Sequence, residues 1–239
     1  MLGIPDIEKF DNQFLGYSVE HWILSLRGRI LLRLGRFDEA KQYLDMLLRI
    51  EQALLDPAVQ FIPHLGYVDL AWCRGDAELA ERHAIRVAEI AEKGGTPYLR
   101  VYAYACAGTA KSIAGNFVGA ARDFTEGLEF VQQAKAAMAY EPELLASLAD
   151  CYYQMEETEQ ALVIAKDAIE LAQERNARLA ECRASIICGA ALLAKHGGVR
   201  FDEADGLFRH AEDLIRMSGA RIYEPLLLQA RSRISTLAG

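Results

Sequence analysis

Lys111-Ser112, behind Gly108-Thr109-Ala110, is the nearest approach in this sequence to a phosphate-binding loop. Such a loop needs glycine where its backbone N–H groups wrap the phosphates, and Ala105 and Ala110 stand at both of those positions. The segment also reads as the interior of a helix, so the pair is assigned to structure rather than to nucleotide chemistry. No HExxH, GxSxG or GxGxxG pattern occurs. The five histidines (His21, His64, His83, His196, His210) lie far apart, and none has a carboxylate at the i, i+4 spacing of a metal-binding helix face. The cysteines Cys73, Cys106, Cys151, Cys182 and Cys188 show no CxxC spacing and are odd in number, which reads as small buried hydrophobes. Many carboxylates sit on helical faces, but nothing sets one pair aside for acid–base work. The sequence therefore predicts no enzyme, no cofactor and no metal.

The elements that carry these residues repeat. Leu34-Gly35-Arg36-Phe37-Asp38-Glu39-Ala40 returns after 40 residues as Arg74-Gly75-Asp76-Ala77-Glu78-Leu79-Ala80, and again as Ala114-Gly115-Asn116-Phe117-Val118-Gly119-Ala120. Met155-Glu156-Glu157-Thr158-Glu159-Gln160-Ala161 forms a fourth copy, with glutamate where the glycine belongs, and Arg200-Phe201-Asp202-Glu203-Ala204 a fifth behind an insertion at Gly197-Gly198. In each copy a helical period runs up to the glycine, which can take positive φ without a Cβ clash, and a second helix starts two residues later. Ala40, Ala80, Ala120 and Ala161 are placed to face the first helix closely. Gly28, Gly108 and Ala149 supply small residues from the other side.

Of the 239 residues 37 are alanine and 31 leucine, strong helix formers, and only 6 are proline. Thr96-Pro97 is an N-cap with proline in the first turn, while Asp56-Pro57 and Pro63 compete to start the helix before residue 74. First helices are predicted near 19–34, 61–74, 97–114, 142–155 and 179–195. Second helices follow near 37–55, 77–93, 117–138, 158–175 and 202–218, with a last helix over 222–237. Residues 1–18 are irregular, or the end of a preceding hairpin, and 19–239 form one helical repeat domain.

Gly28, Leu31, Gly35, Phe37, Ala40 and Leu44 carry small, large, turn, aromatic, small and large residues in the order of a tetratricopeptide repeat, and the chain resembles such an array in its roughly 40-residue bacterial form. The stretch from Glu141 to Arg183, with Leu148-Ala149-Asp150-Cys151-Tyr152-Tyr153 and Glu159-Gln160-Ala161-Leu162, resembles the C-terminal helical region of bacterial adenylate/guanylate cyclase-like signalling proteins. Maltose-regulator-like transcription factors carry a similar array. The resemblance implies an all-α fold, a right-handed superhelical solenoid of about five hairpins plus a C-terminal helix, with the first helices lining its concave side. It places Trp22, Arg29, Arg33, Asp69, Trp72, Tyr102, Thr109, Ser112, Asp150, Tyr153, Gln154 and Arg183 on that face. Aromatic residues and arginine supply most binding energy when desolvated in a groove, although Trp22 and Trp72 equally suit packing between hairpins. The mixed charge of this set is unlike the Lys/Asn clamp of chaperone-binding arrays.

Acidic residues number 34 against 26 basic ones, a net charge of −8, which opposes nucleic acid and anionic membranes as partners. The longest uncharged stretch, Pro57 to Val68, is too short to span a bilayer, and the start of the chain lacks the pattern of a secretory signal, so the expected location is cytoplasmic. The leading expectation is a non-catalytic interaction or regulatory module holding a protein or peptide partner, or a cyclase/ATPase domain of one larger polypeptide, in its groove. A small-molecule sensor and a self-assembling homodimer are the alternatives.

Overall fold

The computed structural model describes residues 19–51 and 57–237, with side chains for 23–49, 57 and 59–232. Those side chains exclude Trp22, and the reading of 1–18 also falls outside the described residues. Among the described residues there is no strand. Eleven α-helices run in order: α1 (Val19–Arg33), α2 (Phe37–Glu51), α3 (Pro57–Arg74), α4 (Ala77–Gly94), α5 (Pro97–Ile113), α6 (Phe117–Ala134), α7 (Glu141–Gln154), α8 (Thr158–Glu174), α9 (Arg178–His196), α10 (Phe201–Ser218) and α11 (Glu224–Leu237). Successive pairs form five antiparallel hairpins, and each second helix also packs on the next first helix. The predicted all-α solenoid is the observed fold.

The repeat signature acts as its residue types dictate. Gly35, Gly75 and Gly115 adopt φ of +73°, +65° and +77° at the three glycine turns. In the fourth hairpin Glu156 takes the same left-handed conformation at φ +63°, so the turn survives without glycine at a local cost of roughly 1–2 kcal/mol. Asp76 and Asn116 cap α4 and α6 through their side chains, accepting from the N–H of Leu79 and Gly119. Ala40, Ala80, Ala120 and Ala161 are fully buried, as is Ala204 in the fifth copy. Opposite them the small residues differ in how tightly they are pressed. A Cβ on Gly108 would lie 2.7 Å from Cε1 of Phe124, and one on Gly189 would lie 2.6 Å from Cε1 of Phe208, whereas one on Gly28 would meet Leu44 at an ordinary 3.5 Å.

Three boundaries differ from the sequence reading. The helix before residue 74 starts at Pro57, and Pro63 lies inside it. The one backbone hydrogen bond lost at Pro63 is outweighed by burial of Val59, Phe61, Ile62, Leu65, Tyr67, Val68, Leu70 and Ala71. The helix α6 stops at Ala134 rather than 138, because Lys135 and Ala137 turn left-handed (φ +51° and +50°) and a short 3₁₀ turn, Met138–Tyr140, leads into α7. Two more such turns, Gly197–Arg200 and Arg221–Tyr223, precede α10 and α11.

The stack turns far enough to meet itself. A Cβ on Gly219, at the end of α10, would lie 2.9 Å from Cδ2 of Leu34, and one on Gly35 would lie 3.8 Å from Cβ of Arg221. The rings of Trp72 (α3) and Tyr223 pack edge to face with centroids 5.9 Å apart. The first two hairpins thus touch the segment that follows the fifth.

Candidate functional site

Because the first two hairpins meet the segment after the fifth, the concave side narrows to a chamber of about 460 Å³ that remains partly open to solvent. The first helices supply most of its wall: Arg29, Leu32 and Arg33 from α1, Asp69 and Trp72 from α3, and Tyr102, Ala105 and Thr109 from α5. Glu143 and Ser147 come from α7, Arg178 and Arg183 from α9, and Tyr140 and Tyr223 from the 3₁₀ turns.

Of the four arginines that line the chamber, Arg183 and Arg29 are held quite differently. Arg183 is pinned by Glu143 at 3.2 Å, Ser147 at 2.8 Å and Asp150 at 3.1 Å, and its guanidinium lies 5.2 Å from the centre of the Trp72 ring. Burial opposes its charge, but Asp150 and Glu143 more than offset that and leave it firmly protonated. Arg183 therefore ties α9 to α7 and to α3 across the chamber. Arg29 is held loosely: its Nε is buried, makes no hydrogen bond, and has Oδ2 of Asp69 3.6 Å away. Arg33 lies beside the same carboxylate, close enough to lower its proton affinity, and makes no hydrogen bond or ion pair of its own among the described residues. Burial nevertheless wins at Asp69 and raises its carboxyl above the ordinary value, against the pull of Arg29 and Arg33.

A chain of aromatic rings extends from this point. Tyr102 and Tyr140 are tilted against each other with centroids 4.7 Å apart, and Tyr102 also meets Tyr98 at 4.9 Å and Phe61 at 5.3 Å. Burial raises the phenol groups of Tyr102 and Tyr140, so both stay neutral hydrogen-bonding groups at any physiological pH.

Seven of the residues expected on the concave face do line the chamber: Arg29, Arg33, Asp69, Trp72, Tyr102, Thr109 and Arg183. Asp150 stands behind the wall as a buried partner of Arg183. Ser112 lies outside it and hydrogen-bonds Cys151, while Tyr153 and Gln154 border a separate small cleft against Ile186, Leu226 and Gln229. Trp22 lies outside the described side chains. The residues the sequence reading missed are Tyr140, Glu143, Ser147, Arg178 and Tyr223. One signal pointed to Glu143. Arg29 and Asp69, like Glu143 and Arg183, stand forty residues apart, so both ion pairs join successive first helices at the repeat period.

The phosphate-loop-like Lys111 is committed to a buried carboxylate, with its Nζ 2.8 Å from Oδ1 of Asp123. Among the described residues no group of three or more His, Cys, Asp or Glu side chains could hold a metal ion. No described helix is long and apolar enough to cross a membrane. Four of the cysteines are buried and Cys73 is half-buried, and all five are free thiols.

Comparison with known proteins agrees with this geometry. Residues 23–53, the first hairpin, match the family model described as tetratricopeptide repeat. The first hairpin thus matches the tetratricopeptide pattern, and the fold as a whole is an all-α array of helical hairpins. A crystal structure of Bacillus thuringiensis PlcR in complex with the peptide PapR7 and DNA superposes with a TM-score of 0.75 at 14% identity, covering 94% of this chain and 79% of that one. The apo form of RapI superposes with a TM-score of 0.57 at 12% identity, covering 90% of this chain and 82% of that one. At such identities the likeness is one of fold. No curated protein matches the sequence.

Proposed function

We propose that this chain is a non-catalytic regulatory module that holds a short peptide segment of a partner inside its chamber. The observation that supports this most is a partly open hollow of about 460 Å³, walled largely by the first helices, in which Arg29 and Arg33 are left incompletely paired beside Tyr102, Tyr140 and Trp72. That volume suits a few residues of extended chain and is far too small for a folded sister domain. The superposed PlcR was crystallised with a peptide and DNA, which favours a peptide as the ligand here. The likeness of Glu141–Arg183 to the cyclase-associated region adds a signalling context in which such a segment belongs to the same larger polypeptide or to a separate protein.

The same volume also suits a small-molecule effector, and this is the second reading. Thermal unfolding separates the two. Randomised hexapeptide pools should raise the unfolding temperature, whereas ATP and maltose should not, since only a ligand of the native state stabilises it. Thr109→Trp, which fills the chamber from a half-buried position on α5, should abolish the shift while preserving helical circular dichroism. Stabilisation by ATP or maltose alone supports the second reading, and a peptide effect unchanged in Thr109→Trp refutes binding in the chamber.

A further inference from the structure

We infer that the ligand brings a carboxylate to Arg29 and Arg33, which together with Tyr102 and Tyr140 form an acid-selecting end of the chamber; this rests on the peptide reading above. The inward cations are held to different degrees. Arg183 makes three hydrogen bonds and lies against an indole ring, and the N–H it leaves without an acceptor, Nε, is buried. Arg29 and Arg33 share a single carboxylate, Asp69, and the contact to it is long at 3.6 Å. A buried guanidinium N–H without an acceptor is costly, and both Arg29 and Arg183 carry one at Nε, but Arg183 is held by three hydrogen bonds and Arg29 by an ion pair at 3.6 Å. Two guanidinium groups face one carboxylate here, while Arg183 alone faces two, Glu143 and Asp150, so the positive charge is concentrated at the Arg29 and Arg33 end.

Guanidinium is also the side chain whose planar fork fits a carboxylate with two parallel hydrogen bonds. Arg29 and Arg33 project from one helix four residues apart, so they can approach one ligand group from the same side. Tyr102 and Tyr140 then supply neutral phenol groups and ring faces for the ligand side chain next to that carboxylate. The Asp69 carboxylate has the chemistry of the proposed ligand group. It acts as an internal stand-in that the ligand supplements or displaces.

The test is affinity selection from two randomised hexapeptide pools, one ending in a free carboxylate and one amidated, with the retained peptides sequenced by mass spectrometry. Enrichment of Asp or Glu in both pools assigns the site to an acidic side chain, and capture confined to the free-acid pool assigns it to a chain end. Either result supports the inference, provided that Arg33→Gln binds the selected peptide at least about tenfold more weakly than the parent. Arg33 makes no hydrogen bond or close ion pair among the described residues and acts on Asp69 only at longer range, so this variant should keep an unfolding temperature close to the parent's. Selection of neutral or basic peptides that Arg33→Gln binds equally well overturns the inference and leaves the peptide reading standing. Capture of nothing from either pool overturns both.

Discussion

Replacing Arg183 by Met tests whether the wall of the chamber is held by charge. The guanidinium loses Glu143, Ser147 and Asp150 together, and its own side chain is only 10% exposed while that of Asp150 is 11% exposed. Asp150 would keep Gln154 at 3.2 Å as a neutral partner, but its charge would be buried without a cation. Breaking a buried pair from one side costs about 3–5 kcal/mol. Loss of the contact with the Trp72 ring adds about 0.5–2 kcal/mol. For a chain of this length each kcal/mol moves the midpoint by about 2–4 °C, so the single variant should unfold roughly 7–28 °C earlier. Arg183→Lys keeps the charge but not the fork and should lose a smaller part of this. Arg183→Met combined with Asp150→Leu removes both charges and should recover most of the loss, because a buried pair is worth little against apolar residues of similar size. Urea and thermal unfolding followed by far-ultraviolet circular dichroism measure all three. If the single variant costs less than about 1 kcal/mol, or the double variant is no better than the single, then the assignment of Arg183 as the tie across the chamber is wrong.

Four further outcomes are expected. Gly108→Ala and Gly189→Ala should each destabilise by about 1–3 kcal/mol through collision with Phe124 and Phe208, whereas Gly28→Ala should be neutral or stabilise by up to about 1 kcal/mol; chemical denaturation reads the contrast. Glu156→Gly should stabilise by about 1 kcal/mol by relieving the left-handed strain, and a lower denaturation midpoint would contradict this. Burial raises the Asp69 carboxyl in the folded state, so ionising it costs stability as pH climbs from the ordinary carboxylate value through the raised one. Asp69→Asn should therefore be the more stable form at pH 7 and match wild type in acid, with thermal midpoints across pH as the check. Burial pushes the thiols of Cys151 and Cys182 up to about 12 and that of Cys188 to about 11, so a thiol reagent at pH 8 should react slowly with the native protein and rapidly with all five cysteines in urea.

Much of the architecture was legible because punctuation and packing come from residue type at a fixed spacing. Glycine at 35, 75 and 115 and alanine five residues later have local causes, and the structure realises each of them. Pro63 misled because its helix is stabilised by tertiary burial that no local propensity records. The early end of α6 depends on left-handed Lys135 and Ala137, residue types that give no warning of such a conformation. Within the chamber, the inward stripe of α1, α3 and α5 followed from the resemblance. Tyr140 and Tyr223 did not, since they sit on 3₁₀ turns whose position depends on how far the stack has rotated. Asp150 was placed on the right helix but faces Arg183 rather than the open space, a distinction of one helical step that periodicity alone does not resolve.

The contact between Leu34 and Gly219, with Trp72 against Tyr223, changes what kind of object this array is. A linear pile of hairpins frays from its tips, because each terminal unit has a neighbour on one side only. Here the outermost units brace each other, as the last stave braces the first in a hoop. Melting of the first or the fifth hairpin must break that seam as well, which binds the fate of the one to that of the other. Events at residue 221 are thereby felt at residue 35, although the chain between them is nearly the whole protein.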